Sequence, residues 1–121
     1  MRCIVARLTK QTLDGNMETL ILSVLAGSPG GQSYGYRIVQ DLGALGEGVL
    51  HLGEGTVYPV LHRLEKRELI AATWHTADNG RNRKYYRLTP KGRRALKDNR
   101  AQWEGLARVM QAALGPLPAA T

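Results

Sequence analysis

At Leu69 the apolar period of the chain changes. Before it, Val57, Val60, Leu61 and Leu64 recur at the roughly 3.6-residue spacing of a helix; after it, Ile70, Ala72 and Trp74 alternate with Ala71, Thr73 and His75. A helix must therefore run straight into a strand with one buried face. Asp78-Asn79-Gly80 is a turn signal, and Asn82 to Leu88 reads as a return strand with Tyr86 and Leu88 pointing inward. An isolated hairpin is marginal in water, so this one must lean on helices.

The helix before the switch opens around Glu54 to Thr56. Pro59 has no N–H and belongs in or near its first turn. With the apolar stripe turned inward, Gly55, Pro59, His62, Arg63 and Lys66 fall on the opposite side. Gly55, Thr56 and Tyr58 place small and hydroxyl-bearing groups beside helix N–H groups, which suits a phosphate. An ordinary surface helix with a solvated basic edge would show the same pattern.

Upstream, Asn16 can cap a first helix whose stripe is Met17, Leu20, Ile21, Val24 and Leu25. Ser28-Pro29-Gly30-Gly31 is a loop. Ser33 is the expected cap of a second helix running to about Leu45, with Ile38, Val39 and Leu42 buried and Tyr34, Tyr36 and Arg37 in its first turn. A flexible joint is expected from Gly43 to Leu52. Residues 1 to 14 show no period and read as an extension, either mobile or lying on the domain.

Downstream, Thr89 caps a last helix with Pro90 at its first position. It runs to Leu114, about 25 residues or roughly 37 Å. Gly115-Pro116 ends it, and residues 115 to 121 read as a disordered tail. Leu96, Trp103 and Met110 recur every seventh position, with Asn99, Leu106 and Ala113 three residues on. So small a domain cannot cover this seam, and a second copy of the chain is its natural partner. The expected interface is Leu96, Trp103, Leu106, Met110 and Leu114.

The 121 residues fit one domain. Its parts are the extension (1–14), a helical and hairpin unit (15–88), the long helix (89–114) and the tail (115–121). The net charge of +7 points to a polyanion or an anionic surface. Nine of the 17 basic residues lie between Arg81 and Arg100, where Asp98 is the one acid. Cys3 is the single cysteine, which excludes an internal disulfide and fits a reducing compartment. His51, His62 and His75 have no partner at ligand spacing, so neither a metal nor a cofactor is expected. No apolar run approaches the roughly 20 residues of a membrane span. No nucleophile–base pair or phosphate loop suggests an enzyme. A cytoplasmic protein is expected.

Helices, a two-stranded hairpin and a long terminal helix make a mainly α (α+β) winged helix–turn–helix, with a β-wing and a C-terminal dimerisation helix. Four blocks of sequence resemble the PadR-type transcriptional regulators over Gly15 to about Leu114. They are Gly15-Asn-Met-Glu-Thr-Leu-Ile-Leu-Ser-Val-Leu, Tyr34-Gly-Tyr-Arg-Ile, Gly55-Thr-Val-Tyr-Pro-Val-Leu-His-Arg-Leu-Glu and Arg83-Lys-Tyr-Tyr-Arg-Leu-Thr-Pro-Lys-Gly. Tyr34 stands where that family often has His, and Val57 where Leu is usual. The resemblance implies a homodimeric repressor of double-stranded DNA, with the third helix in the major groove and the wing on the adjacent minor groove or backbone. By matching position it implies a DNA-facing set of Tyr36, Thr56, Tyr58, Pro59, His62 and Arg63.

On that reading Thr56, Tyr58 and Tyr36 bind phosphate oxygens, while His62 and Arg63 are candidates for base edges. Arg81, Arg83 and Lys84 on the wing neutralise phosphates. The operator is then an inverted repeat. Two readings of Trp103 stand side by side: an anchor of the dimer core, or, with its mate, the lining of a pocket for a small aromatic inducer. The alternative function is a winged-helix protein–protein interaction module docking an acidic partner.

Overall fold

The computed structural model describes residues 13, 15–46 and 52–116. The expected extension (except Leu13 and Gly15 onward), the middle of the expected joint and the tail beyond Pro116 lie outside the described residues. Leu13 itself is buried in the core.

Helix α1 (Met17–Gly27) is the centre of the packing. It touches every other helix as well as the sheet, so Leu22 is buried along with Met17, Ile21, Val24 and Leu25 of the expected stripe, while Leu20 of that stripe is half-buried. A helix covered from several sides carries apolar residues around most of its girth. Asn16 occupies the N-cap position, but its side chain makes no cap hydrogen bond. At the other end the Ser28 hydroxyl donates to the Val24 carbonyl over 2.7 Å.

After a single 3₁₀ turn (Pro29–Gly31) the chain forms a strand absent from the sequence reading, β1 (Gln32–Tyr34). Helix α2 (Gly35–Gly46) follows directly. Ser33 is therefore not a helix cap, and Tyr34 is not in the helix's first turn. Ser33 is a strand residue, 4% exposed, whose hydroxyl has no hydrogen-bond partner among the described residues. Gly43 to Gly46, expected to open a joint, continue the helix, and Gly46 is buried.

Helix α3 (Glu54–Lys66) buries Val57, Val60, Leu61 and Leu64, as the spacing predicts. Pro59 lies in its second turn rather than its first, on the exposed side. The hairpin strands are β2 (Ile70–Thr76) and β3 (Asn82–Leu88). The sheet is three-stranded and antiparallel, ordered β1-β3-β2, so the wing gains a short third strand. Three residues are too few to show a period; β1 exists because Ser33 and Tyr34 pair with Tyr86 and Tyr85. Tyr86 and Leu88 point inward as expected. Trp74 does not: only Ile70 of its row is fully buried, because β2 outruns the core.

Helix α4 (Pro90–Leu114) starts as predicted, with the Thr89 hydroxyl accepting from the Gly92 N–H at 3.0 Å. Its beginning is fastened to the end of α3. The Thr89 hydroxyl donates to the Glu68 carbonyl at 2.6 Å, the Thr89 N–H to the Leu69 carbonyl at 3.1 Å, and Lys91 Nζ to the Arg67 carbonyl at 3.1 Å. These carbonyls would otherwise be orphans of a helix end. Gly92 is buried here because a Cβ would collide with the Leu69 carbonyl, whose carbon would lie 2.9 Å away. The close approach that this glycine permits is to backbone, not to a neighbouring helix.

Candidate nucleic-acid interface

The inward stripe of α3 turns the opposite row outward. Gly55, Thr56, Tyr58, Pro59, His62, Arg63 and Lys66 are all exposed. The described ion pairs are Arg37–Asp41, Arg67–Glu18, Lys84–Glu65 and Arg100–Glu104. Arg63 is in none of them, so its guanidinium is uncommitted among the described residues. Glu65, which could have engaged it, is occupied by Lys84.

Tyr58 is seated by a glycine. Its ring lies against Gly35 at the start of α2, and a Cβ there would meet the Tyr58 hydroxyl at 2.9 Å as well as the ring itself. Burial raises the Tyr58 pKa above its ordinary 10.0, helped by the Glu54 carboxylate and by Tyr86. The phenol therefore stays protonated and able to donate to an anion. Tyr36, one residue on from Gly35, is 55% exposed. α2 thus contributes one exposed tyrosine and the seat for another.

The wing residues divide. Arg81 is exposed in the turn, where the Ala77 N–H donates to its carbonyl at 2.7 Å and its own N–H donates to Asn79 Oδ1 at 3.0 Å. Arg83 lays its guanidinium 4.1 Å from the Tyr34 ring centroid, which orients the charge without neutralising it. Lys84 has a different first task. It pairs with Glu65 of α3 at 3.0 Å and lies 5.2 Å from the Tyr86 ring centroid. The hydrogen bond to Glu65 raises its pKa above the ordinary 10.5. Lys84, expected to meet phosphate, also braces the wing against α3.

Sequence reading missed Glu65 as the partner of that brace, Gly35 as the seat of Tyr58, and Trp74. Trp74 is 67% exposed and lines a cleft of about 560 Å³ between the wing and the starts of α2 and α3. Its alternation with Thr73 and His75 matched a buried row; only the length of the core relative to β2 shows otherwise. His75 makes an edge-on contact with Tyr85, with ring centroids 5.1 Å apart. No group of three or more potential metal ligands occurs among the described residues. No described helix is long and apolar enough to cross a membrane.

The far half of α4 presents a second surface. Trp103, Leu106, Val109, Met110 and Leu114 are exposed. Leu96, expected in the same seam, is partly buried against the chain's own core. Trp103 also borders a cleft of about 290 Å³ shared with Asn16, Thr19, Asn99 and Gln102.

Comparison with known proteins follows this geometry. Residues 21–98 match the family described as "Transcriptional regulator PadR-like family". A transcriptional regulator from Mycobacterium tuberculosis is 39% identical over 87 residues, which is 72% of this chain and 78% of that protein. Among solved structures, a transcriptional regulator from Clostridium thermocellum superposes with a TM-score of 0.77 at 29% identity, over 88% of this chain and 98% of the other. A PadR family transcription regulator from Clostridium difficile gives a TM-score of 0.71 at 33% identity, over 84% and 100%.

Proposed function

The chain belongs to the PadR-like family of transcriptional regulators, and from that premise we propose that it is a homodimeric repressor reading an inverted-repeat DNA operator. The family and the relatives are transcriptional regulators, not enzymes. The observation that supports the DNA reading is the exposed row of α3, which offers Thr56, Tyr58, His62 and an unpaired Arg63 together.

The roles follow from chemistry. Thr56, Tyr58 and Tyr36 donate hydroxyl hydrogen bonds to phosphates and fix the register without reading sequence. Arg63 can hold guanine O6 and N7 with two parallel bonds, and His62 offers a further base-edge contact. Pro59 keeps the start of the helix stiff. Arg81 and Arg83 neutralise backbone phosphates, each adding about 0.9 to the slope of log affinity against log salt.

The apolar stripe from Trp103 to Leu114 supports the dimer. Two copies joined along it present two α3 helices, and a duplex is read once per turn when they lie about 34 Å apart. Trp103 supports an effector reading as well, because a small aromatic molecule can stack on an indole beside the amides of Asn16, Asn99 and Gln102.

The test is selection from a pool of random duplexes at moderate salt. Recovery of an inverted repeat, with Arg63→Ala relaxing preference at one position of each half-site, is the expected result. Retention without sequence preference would remove the operator reading. Failure to bind duplex at low salt would leave a winged helix that docks an acidic protein.

A further inference from the structure

Trp74 is the large aromatic side chain that the fold leaves without an explanation. It points to the same sheet face as Ile70 and Ala72, opposite Lys84 on β3, but lies beyond the reach of the core. β2 is the edge strand of the described sheet, ordered β1-β3-β2. Two-thirds of an indole exposed on a strand is unfavourable unless something else covers it.

The chemistry of the cleft says what that is. Besides Trp74 its walls include Tyr36, Tyr58, Arg83, Lys84 and Tyr86, and no carboxylate lines it. The exposed hydroxyls of Tyr36 and Tyr58 and the two cations suit phosphate oxygens. The indole and the tyrosine rings suit an apolar surface between those phosphates. A single strand of duplex backbone alternates these two characters, anionic phosphate and apolar deoxyribose. Lys84 ties the wing to Glu65 of α3, and the cleft shares Tyr36 and Tyr58 with the DNA-facing row.

We propose that this cleft receives one sugar–phosphate strand of the bound duplex, and that Trp74 packs its indole against a deoxyribose there. The contact positions the wing and reads no base. It rests on the DNA-binding reading above, and the experiment separates the two.

The chain has two tryptophans, so Trp103→Phe leaves Trp74 as the reporter. That variant is titrated with a random-sequence duplex pool at low salt, since a backbone contact does not depend on sequence. If Trp103→Phe disturbs the dimer, the difference between wild type and Trp74→Phe gives the same signal. The expected result is a saturable change in Trp74 emission, with Trp74→Ala weakening duplex binding about tenfold, the scale of partly burying one large apolar side chain. The salt slope should stay unchanged, because no charge is removed. Unchanged affinity of Trp74→Ala overturns the proposal while the DNA reading stands. Weakened affinity without any emission change also overturns it, as an indirect effect through the hairpin. If wild type fails to bind the pool at all, the proposal falls together with the DNA reading.

Discussion

The two halves of α4 solve opposite problems. The first half is a joint inside the chain. Gly92 sits against the Leu69 carbonyl, Ala95 and Leu96 pack on the core, and Thr89 and Lys91 bond the carbonyls of Glu68 and Arg67 just past the end of α3. In the second half Trp103, Leu106, Val109, Met110 and Leu114 are exposed, and only Trp103 and Leu106 of these border the shallow cleft at the start of α1. One continuous helix therefore carries a fastened end and a bare end. The lesson is mechanical: whatever covers the bare end is coupled to α3 through a joint with little slack. If two copies pair there as proposed, a change in their packing would alter the spacing of their α3 helices without bending anything in between.

The largest effect should come from breaking the bare end alone. Leu106→Asp with Met110→Asp places two carboxylates on the seam, and burying unpaired charge is far costlier than exposing it. We expect dimer affinity to weaken on the order of 100-fold or more, read by light scattering against concentration. The protomer should keep its helical circular dichroism, since both side chains are exposed in it. Loss of folding together with loss of dimer would erase the distinction between the halves.

Two glycines sharpen the comparison by the sign of their response. Gly92→Ala drives a methyl into the Leu69 carbonyl, and overpacking of this kind costs about 1–3 kcal/mol even against the helix propensity that alanine brings. Gly105→Ala meets nothing within 4 Å in the protomer, and alanine should stabilise the helix by about 0.5–1 kcal/mol. Thermal melts of the two variants should move in opposite directions. If Gly105→Ala instead weakens the dimer, the glycine marks where the second copy approaches closely.

The features that can be read from the sequence are those that depend on neighbours along the chain. The α3 stripe, the strand after Leu69, the turn before Arg81 and the Thr89-Pro90 start all declare themselves within a few residues, and all are present. What escaped depends on partners far away. Ser33 looks like a cap until Tyr86 draws it into a sheet. Trp74 looks buried until the end of the core is located. Lys84 reads only as a wing cation until Glu65, 19 residues earlier, is found paired with it. The candidate interface was legible in its hydroxyls and in Arg63, and not in the brace that fixes its geometry.

The smallest effect concerns the joint itself. α3 ends with the Leu69 N–H donating to the Leu64 carbonyl at 2.9 Å and the Glu68 N–H to the Glu65 carbonyl at 3.0 Å. That closure puts Glu68 at φ 62°, the left-handed region usually given to glycine. A side chain there costs about 1–2 kcal/mol, of which glycine's greater freedom when unfolded would return part. Glu68→Gly should therefore raise stability by about 0.5–1 kcal/mol, measured by urea unfolding. The Thr89 bond uses the Glu68 carbonyl, which the substitution keeps. If the two halves of α4 are energetically separate, the dimer constant should not move with it. A shift in dimerisation from this one change would mean that the joint and the seam are a single coupled unit, and that strain at Glu68 is felt where two copies meet.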